Sequence, residues 1–343
     1  MELLAELGVF AAKVLLIVVA VVAIIGAIAR AARRGGPDES RGDLRLKKLN
    51  ERWKHTASRM QRALLPARAF KARQKAERAA DKAKTAGALV PERRRVYVLD
   101  FDGNLRAAQV SGLREEITAI LEAARPHDEV VVRLKSPGGL VHAYGLAASQ
   151  LQRLRERGLK LTIAVDQIAA SGGYMMAVVG QQILAAPFAV IGSIGVVAGF
   201  PNFNRWLKKR DIDFELMTAG KYKRTLTMFG ENTEEGRQKF QQELEEAHRL
   251  FKDHIARARP ALDLEKVATG EHWYGTQAKD LGLVDRIITS DDYLAEQRDQ
   301  ADIWHLQYVP RRRLFDRVST AMQAALERGV ERVWEKSEEQ RFL

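Results

Sequence analysis

From Val96 onward, short runs of large apolar residues alternate with longer segments of helical periodicity. That alternation restricts the fold more than any other feature of the chain. VYVLDF (96–101), VVVRL (130–134), LTIAV (161–165), ILAA (183–186) and FELMT (214–218) read as strands. Val110, Leu113, Ile117, Ile120 and Leu121 fall on one helix face. The spacing predicts further helices over 140–157, closed by Gly158 as its C′ glycine, from 173 to 180, over 202–210 and over 233–258. Strands that are apolar on both faces and separated by helices predict an α/β fold with a mainly parallel sheet covered on each side. No short-period repeat of the solenoid kind is present.

The 343 residues suffice for one large or two medium domains. The chain has no cysteine, which excludes disulfides, thiolate catalysis and cysteine-based zinc or iron–sulfur sites. A chain without thiols tolerates either side of a membrane. Its charge is concentrated: residues 30–95 hold 21 Lys and Arg against 7 Asp and Glu, a local +14 beside +12 for the whole chain. The remainder is therefore close to neutral.

Residues 7–29 read LGVFAAKVLLIVVAVVAIIGAIA, with no charge after Lys13. About 20 such residues span a bilayer core, so 1–32 is expected to be a transmembrane anchor. A cleaved signal peptide would begin with basic residues, whereas Glu2 and Glu6 stand here and the apolar run is long. Residues 33–95 form a basic spacer, largely helix-prone, with Pro66 and Pro91 as punctuation. So many cations just after an anchor favour anionic lipid. The stretch lacks the interleaved aromatics of a nucleic-acid stacking surface, so no nucleic-acid partner is expected. At the other end, Leu314, Val318, Met322, Leu326, Val330 and Val333 predict an amphipathic helix, suited to a protein partner or, given Arg311, Arg312 and Arg313, to a membrane. The expected divisions are anchor 1–32, spacer 33–95, main domain 96–297 and helical tail 298–343.

In a sheet of this kind, sites form where strands hand over to loops and helix N-termini. Two handovers carry small residues in place of charge. The first is SPGG (136–139), where Pro137 fixes φ and Gly138 and Gly139 let the backbone approach a ligand. The second is DQIAASGGYMMAVVG (166–180), with Ser171 at the junction of strand and helix. A serine there is most simply an N-cap. It is also a hydroxyl beside unpaired N–H groups, and a glycine amide of SPGG with that of Gly172 suits an oxyanion. A nucleophilic serine needs a base. His142, at the head of a helix, is one option, while His248 and His254 are expected on the polar face of a long helix. Lys221 and Lys223, in AGKYKRTLTMFGENT (219–233), are others, if burial disfavours the charged amine.

SPGG, AASGGY, IGSIGV (191–196), the GKYKR loop and GEHWYGTQAKDLGLVD (270–285) occur in one order. In that order they resemble the signal-peptide-peptidase A family of serine peptidases, family S49. The resemblance covers nearly the whole chain and is densest from Val96 to Asp285. It implies a ClpP/crotonase-like fold of repeated β-β-α units and a Ser–Lys dyad needing no metal or cofactor. By position in the motifs, Ser171 is the nucleophile, Lys223 rather than Lys221 is the general base, and Gly139 and Gly172 supply the oxyanion-hole amides. It further implies membrane-derived or extended peptides as substrates, and a homo-oligomer in which one dyad can be assembled from two protomers. One departure is Arg224, where family members often carry an acidic residue after the base. The membrane side is contested: the arginines after the anchor favour a cytoplasmic catalytic domain, whereas related peptidases act on the outer face of the inner membrane. The rival readings are a crotonase-type acyl-CoA enzyme using the same oxyanion geometry, and a non-catalytic membrane scaffold.

Overall fold

The computed structural model describes residues 42–85 and 93–310. Two compact units are distinguished: Arg45–Gln307, and the chain ends Met1–Leu44 with Tyr308–Leu343. In the second, the described residues are 42–44 and 308–310, where Gly42 lies against the Tyr308 ring.

The elements in chain order are β1 (Gly42–Lys48), α1 (Leu49–Leu64), α2 (Ala67–Thr85), β2 (Arg94–Asp102), α3 (Val110–Ala123), β3 (Glu129–Lys135), α4 (Val141–Glu156), β4 (Lys160–Val165), β5 (Ile168–Ala170) and α5 (Gly172–Ala177). They continue with β6 (Gln182–Ala185), β7 (Val190–Gly192), α6 (Asn204–Lys208), α7 (Glu234–Ala258), α8 (Leu264–Val267), β8 (His272–Tyr274), α9 (Gly275–Asp280), β9 (Arg286–Ile287), α10 (Ser290–Gln297) and β10 (Ala301–Pro310). A seven-stranded sheet runs β1-β10-β2-β3-β4-β6-β9, and a three-stranded sheet runs β5-β7-β8. The pairs from β10 through β9 are parallel, as is β5 with β7, while β8 is antiparallel to β7.

The strands are apolar on both faces because both faces are covered. Along β2, Tyr97, Leu99 and Phe101 enter the larger core and Val96 and Val98 the smaller. Along β3, Val130, Val132 and Leu134 face one way and Val131 the other. Helices α3, α4 and α5 pack the larger core through Leu113, Ile117, Leu151, Leu154 and Met176, all buried. Leu49 of α1 and Tyr293 and Leu294 of α10 close the smaller core. Each fully buried aliphatic side chain contributes about 1.5–3 kcal/mol, which makes this sheet a stiff platform for the loops at its strand ends.

A local unit recurs. β4 leads into β5 and then α5, and β6 leads into β7. β3 leads into Ser136, which is bridged in parallel to Ala169 of β5, and then α4. Each time, a main-sheet strand ends in a short extension belonging to the second sheet. Those ends converge on one place.

The expected helices over 140–157 and 233–258 are α4 and α7. Gly158 takes a φ of 80°, and the Thr233 hydroxyl caps α7 by accepting from Gly236 N at 3.1 Å. The expected strand FELMT is absent: 214–218 is irregular, and Met217 is 87% exposed, since no neighbouring strand offers hydrogen bonds there. The helix expected over 202–210 shortens to Asn204–Lys208. The helical tail expected from 298 is corrected at its start, because Ala301–Pro310 is a strand paired in parallel with β2 and the sheet runs past residue 297. The spacer also contributes a strand, β1, ahead of its helices. The expected anchor, the spacer's end over 86–92 and the amphipathic helix after 310 lie outside the described residues. Among the described residues no helix is long and apolar enough to cross a membrane.

Candidate active site

Ser171 stands between β5 and α5 with φ 51° and ψ −118°, a left-handed backbone that L-residues avoid. Such strain persists only where the surroundings over-determine it. Here Ser171 N donates to Gly192 O at 2.8 Å and Ser171 O accepts from Met175 N at 3.0 Å, fixing the residue from both sides. The plain N-cap expectation fails, because the side chain makes no capping bond. Its hydroxyl has no hydrogen-bond partner among the described residues, which leaves it free for chemistry.

The SPGG turn lies directly against it. A Cβ on Gly138, whose φ is 92°, would stand 2.7 Å from Ser171 Cβ and 2.8 Å from Gly172 N. Position 138 therefore requires glycine twice over, for its backbone and for the close approach. Gly138 N is already committed, donating to Ser136 Oγ at 3.1 Å. Among the described residues the amides of Gly139 and Gly172 have no acceptor. Gly172 opens α5, so its N–H is among those the helix leaves unpaired.

These groups line one cleft of about 770 Å³, with Ser171, Gly138, Gly139 and Gly172 on its polar side and Leu140, Met175, Val196 and Phe251 among its apolar lining. None of its lining residues is Asp, Glu, Lys or Arg, and His248 is its titratable group. A largely apolar cleft without Asp, Glu, Lys or Arg in its lining strengthens any hydrogen bond to a developing oxyanion.

The candidate bases are distributed differently. Lys223 is exposed, outside the residues that line the cleft, and its side chain has no partner among the described residues. A single chain thus brings Ser171, Gly139 and Gly172 together and leaves Lys223 apart from them. Lys221 pairs with Glu235 at 2.6 Å, and that carboxylate raises the ammonium above its ordinary pKa, so it stays charged. His142 is exposed at the head of α4, outside the cleft lining. The expectation that His248 and His254 sit on a polar face is corrected. His248 Nε2 donates to Ile194 O at 3.2 Å and His254 Nε2 to Met175 O at 3.0 Å, since a carbonyl can only accept. Burial, reinforced by Arg257 and opposed by the Met175 carbonyl, holds His254 below the usual histidine pKa.

Sequence reasoning missed the cleft's second serine. β5 and β7 are in register with Ala170 opposite Gly192, so the next residues, Ser171 and Ser193, follow two adjacent strand ends. Ser193 repeats the left-handed backbone, φ 50°, and lines the same cleft. The signal was present as a small residue–serine step at the end of each run, AAS and IGS. Among the described residues no group of three or more His, Asp or Glu is placed to hold a metal ion.

Comparison with known proteins places this site in context. The model of the Peptidase family S49 N-terminal region matches residues 2–151, and that of Peptidase family S49 matches residues 153–304. The two meet inside α4, so Gly139 falls in one and Ser171, Gly172 and Lys223 in the other. A probable protease SohB of Haemophilus influenzae is 48% identical over 317 residues, 90% of this chain and 89% of its own length. A probable protease SohB of Buchnera aphidicola subsp. Acyrthosiphon pisum is 56% identical over 230 residues, 67% of this chain and 68% of its own.

Proposed function

The chain belongs to peptidase family S49 and is a peptidase, and from that premise we propose that it is a serine endopeptidase working through a Ser171–Lys223 dyad. The observation that carries this reading is the strained backbone of Ser171, whose hydroxyl has no partner among the described residues, beside two glycine amides that lack acceptors among those residues. In the reaction, the Ser171 hydroxyl gives its proton to an unprotonated Lys223 Nζ as Oγ bonds to the peptide carbonyl carbon. The amides of Gly139 and Gly172 hold the resulting oxyanion. Collapse breaks the C–N bond, the lysine returns the proton to the departing amine, and an acyl-enzyme remains. Lys223 then takes a proton from water as it attacks the ester carbonyl; collapse breaks the C–Oγ bond, the lysine returns that proton to Oγ, and the carboxylic acid product leaves a regenerated Ser171.

Lys223 reaches the serine from a neighbouring copy of the chain. Supporting this is its exposed segment, whose flanking apolar residues Trp206, Phe214, Leu216 and Met217 find no core of their own. A cleft without charged lining favours the neutral amine by desolvation. The β-β-α unit of β4, β5 and α5, echoed by β3, Ser136 and α4, supports the ClpP/crotonase-like assignment of the fold. Residues 7–29 anchor the protein in the bacterial inner membrane, which suits membrane-derived or extended peptides as substrates. The basic residues that follow place the catalytic domain on the cytoplasmic side, and a topology reporter after Leu343 reads that side directly.

The test is peptide cleavage by the full-length wild type, Ser171→Ala and Lys223→Ala. Both variants are expected to lose about 10⁴-fold or more in kcat, with the fold intact by circular dichroism. Undiminished cleavage by Ser171→Ala overturns the reading.

A further inference from the structure

The two glycine amides assigned to the oxyanion lie on different segments, one after β3 and one at the head of α5. Something must hold them in mutual register. Tyr144, in the first turn of α4, is completely buried and touches both segments. A Cβ on Gly172 would stand 2.4 Å from Tyr144 Cγ, so the base of the ring occupies the space where a side chain at 172 would sit. The ring is held from elsewhere by Phe101, edge to face at 6.5 Å.

Its hydroxyl works on the other segment. Tyr144 OH lies 2.9 Å from Asn104 O and 2.5 Å from Ser136 Oγ, and Gly138 N lies 3.1 Å from the same Ser136 oxygen. Counting protons directs the whole chain. The Asn104 carbonyl can only accept, so the single phenolic proton goes there. Ser136 must then donate to Tyr144, and its lone pair accepts the Gly138 N–H. Every O–H is used once. With the Gly138 amide turned back onto Ser136, the next amide in the turn, Gly139, is the one left free. Ser136 is itself tied to the strand leading to the nucleophile, through Ser136 N to Ile168 O at 2.8 Å and Ala170 N to Ser136 O at 3.0 Å. Gly103 makes room for the pair, since a Cβ there would stand 2.5 Å from Tyr144 OH and 2.6 Å from Ser136 Oγ. Burial pushes the Tyr144 phenol up, which keeps it a neutral donor.

We infer that Tyr144 and Ser136 form a positioning pair for the oxyanion hole: the ring of Tyr144 sets the Gly172 amide, and its hydroxyl, through Ser136, sets the turn that presents the Gly139 amide. The inference rests on the serine-peptidase reading. Neither residue touches the substrate, so both act through the glycines. Their effect belongs to the tetrahedral intermediate and not to the bound peptide.

The experiment compares full-length wild type, Tyr144→Phe, Ser136→Ala and the double variant on one fluorogenic peptide. A matching peptide aldehyde, whose hemiacetal with Ser171 needs the same amides, is the second readout. Tyr144→Phe keeps the ring and removes only the hydroxyl. It is expected to lower kcat about 10- to 100-fold with KM within about threefold, because displaced oxyanion donors cost rate and not ground-state binding. Aldehyde inhibition weakens by a similar factor. Ser136→Ala breaks the same chain at its next link, so the double variant is expected to be no worse than Ser136→Ala alone. It also decides the matter should Tyr144→Phe fail to fold. Wild-type kcat and aldehyde inhibition in a folded variant, with only the melting temperature lowered, overturns the inference and makes the pair structural. A wild type with no Ser171-dependent cleavage overturns the peptidase reading itself and takes the inference with it.

Discussion

The crossing of SPGG with the Ser171 turn and the 197–229 segment that carries Lys223 are built on opposite plans. At the crossing, glycine backbone is pressed from every side: Gly139 meets Leu105 O, Gly173 meets Ser136 O, Gly138 meets Ser171 Cβ and Gly172 meets the Tyr144 ring. Hydrogen bonds tie it to three strand ends. In the 197–229 segment the apolar residues face outward. Val197 is 94% exposed and Met217 87%, and the aromatic pairs Phe203–Phe229 and Phe214–Phe229 are local clusters without a floor. Its ties to the residues that follow include Asn202 Nδ2 to Gly230 O, Thr227 N to Asn232 Oδ1, Lys208 to Glu231, Phe200 edge-on to Phe240 and, at the start of α7, Lys221 and Tyr222 to Glu235. The proposed nucleophile, Ser171, is thus held by the core of one chain, whereas the proposed base, Lys223, stands on an exposed segment, as a surface awaiting a partner would.

The strongest way to break this comparison is to mix two dead proteins. Ser171→Ala and Lys223→Ala chains, unfolded together and reassembled, are expected to regain peptide cleavage far above either alone if nucleophile and base come from different copies. Recovery that stays at the level of the separate variants means each chain supplies its own base. Next in size is Gly138→Ala. The new Cβ meets Ser171 Cβ at 2.7 Å on a backbone with φ 92°, so strain of about 1–3 kcal/mol falls on the crossing. Cleavage is expected to drop at least tenfold, with a lower unfolding midpoint in urea. In contrast, Lys221→Ala, within the loose segment and paired to exposed Glu235 and the Tyr222 ring, is expected to leave kcat within about threefold of wild type, as a surface pair contributes little. Phe214→Ser with Met217→Ser sharpens the other half. Light scattering is expected to show a smaller assembly and cleavage to fall with it, while the melting of the separated chain is unchanged.

The smallest effect is a pH dependence. Burial lowers the His254 pKa, so the folded protein keeps this histidine neutral where the unfolded chain begins to bind a proton. Its contribution is therefore whole above the ordinary histidine value, about 6.5, and is lost as pH falls from there toward the lower folded value. Wild-type melting temperature is expected to decline as pH falls below about 6.5. His254→Gln keeps an N–H for Met175 O and should flatten that decline.

Much of this was legible in the chain itself, for stated reasons. The strands β2, β3, β4 and β6 are readable because burial on both faces fills their centres with large apolar residues, as in Val96–Leu99 and Val130–Val132. α4 is readable from its closing glycine and α7 from its capping threonine. FELMT misled because β-prone residues fix a strand only where a neighbour supplies the ladder. β10 was missed because Ala301, Ile303 and Leu306 are spaced too loosely to announce a strand before its partner β2 is known. In the site, the small residues around Ser171 marked the place. SPGG marked the segment of Ser136 and the AAS and IGS steps carried a faint sign of Ser193, but nothing in the linear order marked Tyr144 as their neighbour.

The sequence alone determined the chemical inventory: no thiol, a serine among glycines at a strand end, a glycine pair at another, and lysines in a later loop. The reason is that residue type and local spacing fix which groups exist and what backbone they tolerate. Only the tertiary structure decided how those groups are used. Parallel register set Ser171 beside Ser193, packing forced Ser171 into a left-handed backbone, and a directed chain of hydrogen bonds turned the Gly138 amide away and left that of Gly139 free. Such outcomes depend on contacts between segments distant in the chain, whose energies no single segment carries.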